Sequence, residues 1–148
     1  YDVVVYFNGM MMEVTAVPFA EHNGIVVDSA GGLSLPFQGT VQNHLSRVHA
    51  GAQFLLAESA GGYYLLTAFP DLAGRVLPLL RESKIKYIQQ AEGDLFSKVV
   101  VLDAAVDKFL QTLRKRGRAV INVAVEVMDV SNEVTCRGQF KWFVQLMD

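Results

Sequence analysis

A chain of 148 residues that is 51% hydrophobic has apolar surface enough for one domain with a sizeable core, and no shift in composition calls for a second. Charged residues make up 19% and the formal net charge is −2, so no strong field gathers phosphate, and nucleic acid is not expected as a partner. A lone cysteine, Cys136, excludes an internal disulfide, and no basic stretch leads into an apolar run with a small-residue cleavage site, so a reducing, cytoplasmic setting is expected.

The first residue is Tyr1, not methionine, which leaves room for an upstream segment. Residues 1–23 stay unassigned: Val3, Val4, Val5 and Tyr6 favour a strand, whereas Met10 to Val14 suit a helix. Gly24 to Gln38 predicts two short strands, Ile25–Val27 and Leu33–Leu35, separated by Ser29, Ala30, Gly31 and Gly32. From Ala50 to Phe69 the only conventionally polar residues in twenty positions are Gln53, Glu58, Ser59 and Thr67. That length permits a membrane span. A carboxylate near the middle and three glycines argue instead for a helix buried in a protein core, and no membrane span is expected.

Val76 to Gln89 and Leu95 to Leu102 read as strands, with Gly93 and Asp94 marking the turn that joins them. Asp103 suits a helix cap, Val106, Phe109, Leu110 and Leu113 follow at helical spacing, and Gly117 stands where a left-handed C-terminal residue is wanted. Ala119 to Met128 is valine-rich, and from Val134 apolar residues alternate with Thr135, Arg137, Gln139, Lys141 and Gln145. These two runs, joined by Asp129, Val130, Ser131 and Asn132, predict a hairpin with one buried face. A helix apolar all round needs cover on most sides, which points to an α+β fold: a curved antiparallel sheet wrapped around a central helix, with a small helix inserted between two strands.

The segment Asn43-His44-Leu45-Ser46-Arg47-Val48-His49-Ala50-Gly51, followed by Glu58 on the long helix, resembles the signature of hotdog-fold acyl-CoA thioesterases. In these an asparagine precedes a histidine and glycine that open the central helix, and an acid follows about two and a half turns on. The chain resembles most a thioesterase-like branch also found fused behind acetyltransferase domains, and the likeness covers roughly residues 24–147. It implies a hotdog fold and a homodimer or dimer of dimers. The implied substrate is an acyl-CoA or acyl-carrier thioester, with no cofactor beyond the coenzyme A that the substrate brings. It further implies that Glu58, Asn43 and His49 are catalytic, and that Ala50 and Gly51 hold the substrate through their amides. Relatives often carry two glycines and an aspartate where Ala50, Gly51 and Glu58 stand. A strand serine or threonine used by some relatives falls at Leu80 here, with Ser83 nearby.

Elementary chemistry agrees with that assignment. Unpaired amides at a helix start suit a developing oxyanion, and a carboxylate among Phe54, Leu55, Leu56, Ala57 and Ala60 is raised toward the pKa of a useful base, or attacks the carbonyl itself. Nine residues separate His49 from Glu58, about 13 Å along a helix and half a turn around it, so a shared site requires two chains. The plainer readings are a structurally paired Glu58, an Asn43 that only shapes a turn, and a His49 that only caps the helix. Arg114, Lys115, Arg116 and Arg118 complement a helix end whether or not they meet the phosphates of coenzyme A, and Lys84 and Lys86 carry the same ambiguity. Tyr63, Tyr64 and Phe69 read as core or interface. The histidines and the cysteine lack metal-ligand spacing, so no metal is expected. Two competing functions are a non-catalytic acyl- or CoA-binding module and a 3-hydroxyacyl thioester dehydratase. The second ranks lower because no proline- and glycine-rich loop surrounds His49.

Overall fold

The computed structural model describes residues 4–7 and 10–147. Two short strands, β1 (Val4–Phe7) and β2 (Met10–Glu13), pair antiparallel in a sheet of their own. The helical expectation for Met10 to Val14 is therefore corrected. The apolar run Met10, Met11, Met12 suits either state in isolation, and pairing with β1 decides for the strand; Val3 lies outside the described residues. A 3₁₀ turn (Val14–Ala16) leads into a short helix, α1 (Pro18–His22), with proline at its first position, where a missing N–H costs nothing.

The main sheet has six strands in the order β3 (Val26–Val27), β4 (Leu33–Leu35), β6 (Leu95–Val100), β7 (Arg118–Met128), β8 (Val134–Leu146) and β5 (Val76–Tyr87), all pairings antiparallel. The central helix α2 (Ala50–Thr67) lies in the concavity of this sheet and touches β4, β5, β6, β7 and β8. Alternation along β8 turns Cys136, Gly138, Phe140, Trp142 and Val144 inward, where the ring of Phe140 meets Phe54 of α2 edge-on at 5.7 Å. Gly138 allows that ring to fold back, because a Cβ there would stand 2.5 Å from Phe140 Cε2. Leu56 and Ala57 are fully buried, as expected for a helix enclosed on most sides.

The small helix α3 (Asp103–Arg116) is inserted between β6 and β7, buries Phe109 and Leu113, and ends on Gly117 at φ +71°. Its N-cap is Leu102, and Asp103 is its first helical residue with no capping hydrogen bond, so the carboxylate complements the helix dipole. The segment between β5 and β6 is not a simple turn. It crosses from the sheet edge to the far side of β7 and β8, passing the start of α2, where the Val48 amide donates to the Ala91 carbonyl at 2.9 Å. A register shift between Leu80 and Glu82 leaves Arg81 as an extra residue in β5, its guanidinium 4.8 Å over the Phe143 ring. Leu80 is paired with Trp142 and Ser83 with Phe140, so the bulge puts both on the helix-facing side of the sheet.

Candidate active site

The loop that delivers α2 is built on Asn43. Its side-chain Oδ1 accepts from the amides of Leu45 at 2.9 Å and Arg47 at 3.0 Å, while its own amide donates to the Arg47 carbonyl at 2.8 Å. Asparagine is suited to this local turn, and Ser46 within it takes a left-handed φ of +56°. Arg47 adds a 2.9 Å ion pair to Glu92 on the crossover. His49 then takes the N-cap position of α2 in extended conformation and accepts the Gly51 amide on Nδ1 at 2.8 Å. An accepting Nδ1 is unprotonated, so the neutral ring carries its proton on Nε2. The lack of a side chain at Gly51 makes room for this, since a Cβ there would lie 3.0 Å from Nδ1. The Gly51 amide is thus engaged by His49, and among the described residues no acceptor meets the Ala50 amide. The Ala50 carbonyl accepts from the Tyr87 hydroxyl at 2.9 Å.

Glu58 lies two and a half turns further on, half-buried, in the wall of an apolar cleft of about 270 Å³. The cleft runs between α2, the start of β5, the end of β8 and the segment from Val14 to Ala20. Burial pushes the Glu58 carboxyl above its ordinary value of 4.5. Ser59, 8% exposed, is beside it and brings a hydroxyl to the lining.

Within one chain the expected residues do not meet. Asn43 and Ala50 border one depression of about 250 Å³, together with Gln53 and Tyr87. His49 and Gly51 border another of about 250 Å³, which shares Phe19 and Leu55 with the Glu58 cleft. Sequence reading passed over four residues that shape these spaces. Gln53 is 4% exposed with Oε1 unpartnered, and Trp142 is 5% exposed with Nε1 unpartnered. Ser59 and Phe19 are the others. Gln53 and Ser59 carried a signal as rare polar residues in an apolar helix; Phe19 and Trp142 carried none, because their place depends on the packing of distant elements.

Ser83 is exposed on the sheet edge, and Lys84 and Lys86 are exposed on the same strand. Arg114 pairs with Asp71 at 3.2 Å, an exposed ion pair of little energetic weight. Cys136 is buried and its thiol pushed up to about 11, which makes it an inert core residue. Among the described residues no three His, Cys, Asp or Glu side chains come together, and no helix is long and apolar enough to cross a membrane.

Residues 6–144 match the family described as Domain of unknown function (DUF4442), and the chain belongs to that family. In structure it is similar to the probable thioesterase PA5026 of Pseudomonas aeruginosa, with 24% identity, a TM-score of 0.74, and coverage of 90% of this chain and 91% of that one. It is also similar to BH2602 of Bacillus halodurans, solved with CoA, at 22% identity, TM-score 0.66, and coverage of 87% and 76%. A third similar structure is the thioesterase HI1161 of Haemophilus influenzae, at 12% identity, TM-score 0.67, and coverage of 90% and 87%. No curated protein matches the chain. With these likenesses the sheet wrapped around α2 is the hotdog fold that the resemblance in the sequence implied, shared with thioesterase-like proteins.

Proposed function

We propose that the protein hydrolyses acyl-CoA-type thioesters at a site shared between two chains. The observation that carries this reading is Glu58: a half-buried carboxylate with a raised pKa, the one charged group among the described lining residues of an apolar cleft. In the proposed step Glu58 takes a proton from water as its oxygen attacks the thioester carbonyl. The carbonyl oxygen gathers negative charge at the start of the partner's α2, where the Ala50 amide and the His49 Nε2–H are donors free for it. Collapse of the tetrahedral intermediate breaks the C–S bond, and the departing thiolate takes the proton held by Glu58. Direct attack by Glu58 through an anhydride is the variant of this scheme. It is told apart by isotope from labelled water appearing in the Glu58 side chain, and not in the acid product, after single turnover.

Two features support the second chain. The 12-residue strand β5 has its outer edge unpaired among the described residues, and its first residues, Val76, Leu77 and Pro78, border the Glu58 cleft. A copy pairing along that edge stands next to the cleft. Asn43 in this reading holds the loop that aims His49 and Ala50. The CoA seen with BH2602 supports coenzyme A as the carrier of the acyl group. A cytoplasmic setting accords with the single buried cysteine.

One observation favours a second reading, binding without turnover: the Gly51 amide is already occupied by His49. Thiol release from a panel of acyl-CoAs decides between them. Turnover that falls by at least about a hundredfold in Glu58→Ala is expected for hydrolysis. Binding of the same compounds with no thiol release selects the second reading.

A further inference from the structure

The cleft beside Glu58 also constrains the acyl group, and this step rests on the thioesterase reading above. Its polar side chains are Glu58 and Ser59 on α2 and the indole of Trp142, whose unpartnered Nε1 is buried against Gly61 while its carbon edge faces Gly62; the other opposing walls are Val17, Val76, Leu77 and Pro78. Glu58, Gly62 and Leu66 follow one another at intervals of four residues, so one face of α2 forms a track about 12 Å long leading away from the carboxylate. Gly62 keeps that track open. The ring of Trp142 lies against the helix there, 3.4 Å from where a Gly62 Cβ would stand, and a longer side chain at this position projects into the cleft.

Volume sets the length. A dry cavity of about 150 Å³ accommodates the six carbons of benzene. By proportion the roughly 270 Å³ here holds about ten carbons. A hydroxyl, amide or carboxylate at the far end of such a chain meets the carbon edge of the Trp142 ring at Gly62 and the apolar Leu66, the indole Nε1 being turned to Gly61, and burying it unpaired is unfavourable. We infer that the acyl portion of the substrate is a medium-length chain of about eight to ten carbons, apolar to its tip. It lies along Glu58, Gly62 and Leu66, with the thioester carbonyl at Glu58.

The test is kcat/KM across saturated acyl-CoAs from two to sixteen carbons for the wild type, Gly62→Ala and Gly62→Leu. Each added methylene is expected to raise kcat/KM about fourfold up to a chain of about eight to ten carbons, after which the gain stops. Gly62→Leu is expected to lower the decanoyl value by at least about tenfold while butyryl stays within about twofold, and Gly62→Ala to fall between. Turnover that is indifferent to length, or highest at two or sixteen carbons, overturns the inference and leaves the thioesterase reading standing. So does a Gly62→Leu loss that is equal at every length. Calorimetric binding of S-alkyl-CoA thioethers, which cannot react, separates the two claims. If no acyl-CoA is turned over, S-decyl-CoA binding more tightly than S-butyl-CoA, with the difference abolished in Gly62→Leu, still supports the cleft. Equal binding of the two overturns it.

Discussion

Glu58 is the residue on which chemistry and stability pull in opposite directions. Burial raises its pKa, so the folded protein holds the proton more tightly than the unfolded chain does. The associated stability is fully present below the ordinary value of 4.5 and is lost as pH climbs through the raised folded-state value. Glu58→Gln is therefore expected to melt with the wild type near pH 4 and a few degrees higher at pH 8, read by thermal unfolding at both pH values. The acid limb of the activity profile is expected above 4.5 for the same reason, since the base proposed here works in its deprotonated form. At this scale the sequence was informative where a residue stood out against its neighbours. Glu58 is a carboxylate in an apolar run, and Asn43 and His49 sit at a family spacing. Ser59 and Gln53 interrupt the same run, yet one points to the cleft and the other to the loop behind the helix start, a distinction that only the position of β5 and the crossover creates.

In the proposed mechanism the start of α2 carries two tasks that single substitutions separate. His49 closes the helix through Nδ1, and its Nε2–H is the donor proposed for substrate. His49→Ala is expected to cost about 1 kcal/mol of stability, the usual worth of an N-cap, and to impair turnover. His49→Asn is expected to restore the cap, and with it the melting temperature, while turnover stays low because the shorter amide puts no donor at the Nε2 position. Denaturant unfolding alongside thiol release checks both. Elements whose environment is uniform along their length were legible: α2 is apolar all round, and β8 alternates from Val134 to Leu146. Elements decided by a neighbour were not. The methionines of β2 fit helix and strand alike until β1 pairs with them. The Gly93–Asp94 bend reads as a hairpin, yet the chain it turns runs from the sheet edge to a strand beyond β7, and Asp94 accepts the Phe37 amide at 2.7 Å. No local pattern encodes that crossing. The bulge at Arg81, which sets the face on which Ser83 lies, is likewise fixed by the register with β8.

At the scale of the molecule, the fold distributes the expected site residues over separate depressions of one chain, and in the proposed reading a second chain pairing at the edge of β5 reunites them. A species of twice the 16.3 kDa chain mass is expected in sedimentation, with activity lost on dilution to monomer. The central claim is that Glu58 of one chain works with the helix start of the other, and complementation tests it most directly. Glu58→Ala and His49→Ala, each inactive alone, are unfolded and refolded together so that chains mix at random. Half of the dimers are then mixed, and each mixed dimer holds one site with both Glu58 and His49 intact. Recovery of about a quarter of wild-type thiol release is the predicted result. Mixed dimers that form, as judged by mass, and stay as inactive as their parents would contradict the account.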